Sequence, residues 1–270
     1  MIFYTIIYKI QSKFNFNKYI EWGKNLIEYV KHYKLVIFTN DETHELIKNI
    51  IKDKNIFIFK LNIEDFYFYR YRNFLIKNTN KDCFPDHSVS YQLILLWVER
   101  HLLVEKLINK HKSDSYCYID WGYVREKIVS IDNKNNNKDF KINNNFVYWG
   151  LVNPKKNAFD FYKNVFNKNN KDLNKNVKEI IVNQKIEKYQ PIFGGGFSII
   201  PNNMVTWFVI NYKKSLLYFL DNQILFKDDQ TIIAFMIMNH LDKFKLVIKE
   251  KDKIEWFPFL YYFINKYEIY

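Results

Sequence analysis

The sequence predicts an α/β domain with a mostly parallel central sheet flanked by helices. Three observations predict it. The first sixty residues alternate short aromatic and β-branched runs with amphipathic stretches in the order β-α-β-α-β, with short connections, as crossover units do. The apolar run Tyr116 to Ile119 ends abruptly on Asp120, with Gly122 two residues later, as a buried strand ending in a turn would. Hydrophobic residues are 48% of the chain and charged residues 26%, which is globular composition and not disorder.

Ile2 to Tyr8 reads as the first strand, and polar Lys9 to Asn17 as a loop over the end of the sheet. From Lys18 to Val30, apolar Tyr19, Trp22, Leu26, Ile27 and Val30 recur at helical spacing. Leu35 to Phe38 is a second strand. Thr39-Asn40-Asp41 then supplies cap chemistry for a helix from Glu42 to Ile50, and Ile56 to Phe59 is a third strand. Glu64 to Lys77 mixes aromatics with Arg70 and Arg72. Such interleaving can stack nucleic-acid bases, but the favoured reading is a helix packed on the sheet with both arginines in water. Lys77 to His87 reads as a loop. Ser88 to Lys110 reads as one long helix with a stripe of Tyr91, Leu95, Val98, Leu102, Leu103 and Leu107, and with His101 and His111 on the surface.

The second half is less regular. Residues 131–145 are rich in asparagine and lysine and read as a mobile insertion. Phe146 to Trp149 resumes a strand pattern. Pro154 to Lys178 reads as a helical piece around Phe159 to Phe166 with a second Lys/Asn loop. Asn202 to Tyr218 and Ile232 to Met238 read as helices. No boundary divides the chain, so a single domain over residues 1–270 is expected.

The net charge is +12, and a basic surface attracts polyanions. The lysines are scattered among asparagines, however, and the abundance of Lys, Asn, Ile, Phe and Tyr reads as codon bias of an AT-rich genome. Nucleic acid is therefore not the expected partner. Two cysteines, Cys83 and Cys117, without CxxC or zinc spacing, point to a reducing compartment, and a cytoplasmic location is expected. No apolar stretch reaches the roughly 20 residues that span a bilayer. The aromatic segment Trp256 to Phe263 suits core closure or a homo-oligomer interface better than a membrane contact.

Three segments carry chemistry. Asp120 stands where a sheet of this kind binds ligands, and it can hold a metal ion or a sugar hydroxyl, or simply close a turn. Gly194, Gly195 and Gly196 are half of the chain's six glycines. They suggest a close approach of backbone to a sugar or other acceptor, or a bend in a strand. Asp228 and Asp229 precede an apolar helix. They read as caps, or as catalytic carboxylates converging with Asp120. His240, after that helix, is a candidate metal or phosphate ligand beside a structural reading.

Taken in order, these pieces resemble the HtrL/YibB-like family and, more broadly, glycosyltransferases of the GT-A type. The matching pieces are Thr5 to Ile7, Tyr19 to Gly23 (YIEWG), Tyr118 to Gly122 (YIDWG), Phe193 to Phe197 (FGGGF) and Asp228 to Thr231 (DDQT). Asp229 stands where the family commonly has glutamate, and the resemblance covers most of residues 1–245. It implies a Rossmann-like GT-A fold. Residues 1–125 would bind a nucleotide-sugar donor, with a UDP-sugar expected, and residues 146–270 would face a glycan, protein or small-molecule acceptor.

In that reading Thr5 opens the nucleotide site, and Asp120 takes the DxD role with Mn²⁺ or Mg²⁺ on the diphosphate. Gly122 replaces the second acid of that motif. Arg125, a lysine or a turn N–H could then share the neutralising charge. Gly194 to Gly196 would wall the acceptor, and Asp228 or Asp229 would act on the acceptor side. The family also tends to carry a lysine in the helix before the acid strand, near Glu99 and Arg100 here.

Overall fold

The computed structural model describes residues 1–12, 14–78, 90–126, 142–167, 169–183, 185–226, 228–248, 254 and 268–269. The strands are β1 (Ile2–Ile6), β2 (Lys34–Thr39), β3 (Ile56–Lys60), β4 (Ser115–Ile119), β5 (Val147–Leu151), β6 (Phe193–Pro201), β7 (Phe244–Ile248) and β8 (Glu268–Ile269). They form one sheet in the order β3-β2-β1-β4-β6-β5-β7-β8. The chain builds outward from β1 to β3 and then returns to place β4 on the other side of β1. That reversal opens a crevice beyond the C-terminal ends of β1 and β4.

Strands β1 and β4 are buried along their whole length. Ile2, Tyr4, Ile6, Tyr116 and Tyr118 enter the larger core. Phe3, Ile7, Cys117 and Ile119 enter the smaller one on the opposite face. Burial on both faces explains their unbroken apolar runs.

Helices α1 (Phe16–Tyr29) and α2 (Asp41–Ile47) contribute Leu26, Tyr29 and Ile47 to the smaller core. Their starts follow local chemistry: Asn15 accepts from Asn17 N–H, and Asn40 accepts from Thr43 N–H. The larger core takes residues from α3 (Arg72–Asn78), α4 (Tyr91–Glu99), α5 (Leu103–Ile108), α6 (Lys156–Val165), α7 (Leu173–Val182), α8 (Val205–Asp221) and α9 (Asp229–Met238). Two of the sequence's three Trp-Gly pairs, Trp22-Gly23 and Trp121-Gly122, interlock between α1 and the turn after β4. A Cβ on Gly23 would stand 2.1 Å from the Trp121 ring, and one on Gly122 would stand 3.1 Å from the Trp22 ring. Neither glycine has a positive φ, so close approach is what they provide.

The sheet is mostly parallel, with β1 paired to β2, β2 to β3, β1 to β4 and β5 to β7 in parallel, while β6 runs antiparallel to β4 and β5, and β7 to β8. Three expectations are corrected. The long helix from Ser88 to Lys110 is two helices, α4 and α5, broken at Arg100 to Leu102. Residues 99–104 are all buried there, and one amphipathic stripe cannot bury six consecutive residues. Glu64 to Lys77 is not one helix but 3₁₀ turns at Ile63–Asp65 and Tyr67–Tyr71, followed by α3. The region assigned to a second Lys/Asn loop contains the start of α7, whose Leu173, Val177, Ile180 and Ile181 form a buried face. The aromatic segment 256–263, residues 131–141 of the insertion and residues 79–87 of the loop before α4 lie outside the described residues. No helix among the described residues is long and apolar enough to cross a membrane.

Candidate functional site

A cleft of about 620 Å³ occupies the crevice beyond β1 and β4. That is the size of a small-molecule or cofactor site. Asp120, Gly122, Arg125, Gly194, Gly195, Gly196, Asp228 and Asp229 all line it. These segments meet because β6 lies beside β4 and runs antiparallel to it. Its glycine-bearing start therefore lies beside the end of β4, where Asp120 N–H donates to Gly196 O at 2.7 Å.

The glycines have a structural explanation that differs from the expected acceptor wall. Between the pairs Trp149–Ser198 and Leu151–Phe193, β5 has Gly150 alone and β6 has Gly194 to Phe197. Strand β6 bows away from β5 over this stretch, as a bulged strand does. A Cβ on Gly195 would lie 2.2 Å from Arg100 Nη2 and 2.9 Å from Asp229 Oδ2. The close approach that needs Gly195 is made by the protein's own ion pair.

Arg100 is the hub of the cleft floor and is only 5% exposed. Its Nη1 donates to Asp120 Oδ2 at 2.9 Å and to Tyr118 Oη at 3.3 Å. Its Nε and Nη2 donate to Asp229 Oδ2 at 3.0 and 2.5 Å. His101 Nε2 meets the same carboxylate oxygen at 2.5 Å. Burial opposes the charge on Arg100, but attraction to Asp229, Tyr118 and Asp120 raises its pKa and keeps it cationic. Burial opposes ionisation of Asp229 too, yet Arg100 and His101 hold its carboxyl below the usual value. Burial lowers the pKa of His101, partly offset by its bond to Asp229, so the ring is neutral at pH 7.

Asp120 faces the cleft differently. Its Oδ1 accepts from Gly122 N–H at 2.9 Å, its Oδ2 accepts from Arg100 and from Tyr118 Oη, and 34% of its side chain stays exposed. Its bond to Gly122 also makes the turn that the sequence suggested. At the rim, Arg125 stacks 4.9 Å from the Trp22 ring and 5.6 Å from Phe14, and its Nε donates to Gly122 O at 3.3 Å. Phe14, Tyr19 and Trp22 pack edge to face, giving that wall an aromatic surface. Asp228 occupies the position before the first turn of α9 with an extended backbone, makes no side-chain capping bond to that turn, and is half-buried at the cleft.

The structure therefore brings together every expected site residue except two. Thr5 lies wholly buried in mid-β1, and its neighbours Ile6 and Ile7 reach the cleft instead. His240 follows the far end of α9, about 15 Å of helix from Asp229, with its ring edge against Trp207. The reading of His101 as a surface residue is corrected, because the side chain is fully buried. Arg100 and His101 were legible in one respect. Glu99-Arg100-His101 is a polar triplet inside the apolar run from Leu93 to Val104, and such a triplet must be paired if the run is buried.

Among the described residues, the charge of the cleft is opposite to that of the protein: Asp120, Asp228 and Asp229 face two guanidiniums, Arg100 and Arg125, and no lysine lines it. Arg100 and Asp229 neutralise each other on the floor. Among the described residues no group of three or more His, Cys, Asp and Glu side chains could hold a metal ion by itself. The residues fit instead an ion that arrives with an oxygen-rich ligand. Magnesium-like ions are commonly held by one or two carboxylates together with ligand phosphates, and Asp120 is partly exposed, with a lone pair on Oδ1 that none of its three donors takes. Arg70 and Arg72 lie over their own neighbours, Tyr67 and Tyr69, at 4.5 and 4.8 Å.

Among solved structures, the crystal structure of apo mouse xyloside xylosyltransferase 1 is similar to this chain. The TM-score is 0.48 and the identity 11%, over 90% of this chain and 83% of that chain. No protein-family model and no curated protein matches the chain.

Proposed function

We propose that the chain is a glycosyltransferase. It moves a sugar from a nucleotide-sugar donor, a UDP-sugar by expectation, to a glycan, protein or small-molecule acceptor, with a divalent ion in attendance. The observation that carries this reading is the acidic cleft in a basic protein, set at the switch point of the sheet with Asp120 exposed in it. Among the described residues that line it, carboxylates outnumber guanidiniums, so a diphosphate entering alone would meet net repulsion from them. An accompanying Mn²⁺ or Mg²⁺ reverses that sign. Asp120 and Asp228 are the carboxylates that would hold the ion. When bound, it would stabilise the charge that develops on the departing diphosphate.

The chain's own residues do the rest. Arg125, at the rim, adds a guanidinium on the open side of the cleft. Phe14, Tyr19 and Trp22 offer apolar faces to a ring of the ligand. Asp229 is committed to Arg100 and His101, and its lowered pKa makes it a poor proton acceptor. A second reading, a nucleotide-sugar-binding protein without turnover, is favoured by the same commitment of Asp229.

A donor screen tests both. Single sugar nucleotides are incubated with the protein in Mn²⁺, in Mg²⁺ and in chelator while free nucleoside diphosphate is followed. Release from one donor, abolished by chelator and by Asp120→Asn, is expected. Binding without release supports the silent reading. Well-folded protein that binds no nucleotide and no sugar nucleotide overturns both.

A further inference from the structure

His101 takes no part in the chemistry proposed above, yet it is fully buried and placed on the carboxylate oxygen that Arg100 uses. Asp229 Oδ2 already accepts from Arg100 Nε and Nη2, so it accepts from the ring as well, and the nitrogen 2.5 Å away carries the proton. This assigns the Nε2–H tautomer from the hydrogen-bond network. Nδ1 is then a bare acceptor, buried with no hydrogen-bond partner among the described residues. The ring is held by Tyr212, Trp149 and Tyr118 at 5.2, 5.3 and 5.5 Å between centroids. An apolar side chain would fill the same aromatic cage without orphaning an acceptor. What the histidine adds is the single N–H aimed at Asp229.

That N–H decides where the charge of Arg100 goes. The guanidinium spans two carboxylates, with Nε and Nη2 on Asp229 and Nη1 on Asp120. Asp229 competes for it only while Oδ2 points beneath Gly195, and His101 fixes that orientation. With Asp229 free to turn, the guanidinium would pair more fully with Asp120 and cancel the negative charge that faces the cleft.

We propose that His101 is a positioning residue: through Asp229 it holds Arg100 on the floor and keeps Asp120 available to a cation-bearing ligand. The second part of the test below rests on the donor-binding reading, and the first part does not.

The experiment uses the full chain with His101→Gln, whose amide N–H can reach Asp229, and His101→Leu, which has no donor. The chain has four arginines, so ¹⁵N-arginine labelling resolves the Arg100 Nε–H by NMR. In the wild type this proton is expected to exchange at least about tenfold more slowly than those of the other arginines. Its exchange should accelerate about tenfold in His101→Leu and stay within about threefold of wild type in His101→Gln. Unchanged exchange in His101→Leu overturns the proposal. If His101→Leu does not fold, His101→Asn replaces it, because its shorter amide falls short of Asp229, and the same acceleration is expected.

In the second part, UDP is titrated in the presence of Mn²⁺. Affinity should fall about tenfold in His101→Leu and be rescued in His101→Gln. Equal affinity in all three proteins overturns the link from His101 to Asp120. A wild type that binds neither UDP nor Mn²⁺ overturns the proposed function and that link together, while the exchange rates still decide whether His101 holds Arg100.

Discussion

The floor and the rim of the cleft carry the same two chemical groups in opposite settings. On the floor, Arg100 and Asp229 are almost wholly buried, and their charges are matched to each other. At the rim, Arg125 is exposed and Asp228 half-buried, and both face the space that a ligand would fill. Asp228 and Asp229 are adjacent in sequence, yet the helix start turns one to the opening and the other beneath the glycine strand. Floor charges are buried against each other and hold the site in shape, whereas rim charges stand at the mouth of the cleft, where a ligand can reach them. Substitutions on the two levels should therefore separate stability from binding.

The largest effect is expected from Asp229→Asn. It leaves a buried guanidinium with Asp120 as its remaining carboxylate, and losing one partner of a buried pair costs about 3–5 kcal/mol. Denaturant unfolding at neutral pH measures it. The sign with pH follows from the lowered pKa of Asp229. Its contribution is full above the ordinary carboxylate pKa and is lost as the pH falls, so wild type and variant should converge in acid. If Asp229→Asn is as stable as wild type, the floor is not the structural element described.

Gly195→Ala should come next, at about 1–3 kcal/mol, because the added methyl displaces the end of Arg100 from a site with no spare room. A matching loss of protection at the Arg100 Nε–H would tie the cost to the ion pair and not to the strand.

Glu99 sharpens the comparison from beside the floor. Like Asp229 it is almost fully buried, but it accepts from the backbone N–H groups of Tyr67 and Phe68 and has no guanidinium. Burial pushes its carboxyl up to about 7, and those two N–H groups only partly oppose the rise. A raised carboxyl pKa means that stability is greatest below the unfolded value and is lost as the pH rises through the folded one. Wild-type stability should therefore fall between about pH 4.5 and 7, with a smaller fall in Glu99→Gln. Thermal melts across that range measure it, and parallel curves would remove Glu99 as the cause.

The smallest stability effects belong to the rim. Arg125→Ala and Asp228→Asn should each change unfolding free energy by no more than about 0.5 kcal/mol, as surface substitutions usually do. Each should still weaken Mn²⁺-dependent UDP binding by roughly tenfold, the scale of one charge-assisted contact. Strong destabilisation by either would erase the distinction between the two levels.

Much of the first half was legible because its signals are local. The strands β1 to β4 follow from their apolar runs, α1 from spacing, and α2 from the cap chemistry around Asn40. Asp120 was legible as well, since an acid closing a buried strand ends at the mouth of such a sheet. The break between α4 and α5 was not legible. The apolar periodicity continues through it, and only layers on every side explain why residues 99–104 are all inside.

By itself the sequence determined where strands and helices would form and which acids and glycines would stand at their ends, because periodicity and capping act over a few residues. Only the tertiary structure decided what those residues face. It paired Arg100 with Asp229 across 129 positions and put Gly195 over them to make room. It also buried His101 among three aromatic rings from β4, β5 and α8. The reason is physical: the state and direction of a charge depend on burial and on partners brought from distant segments, and neither is present until the sheet and its helices have closed around them.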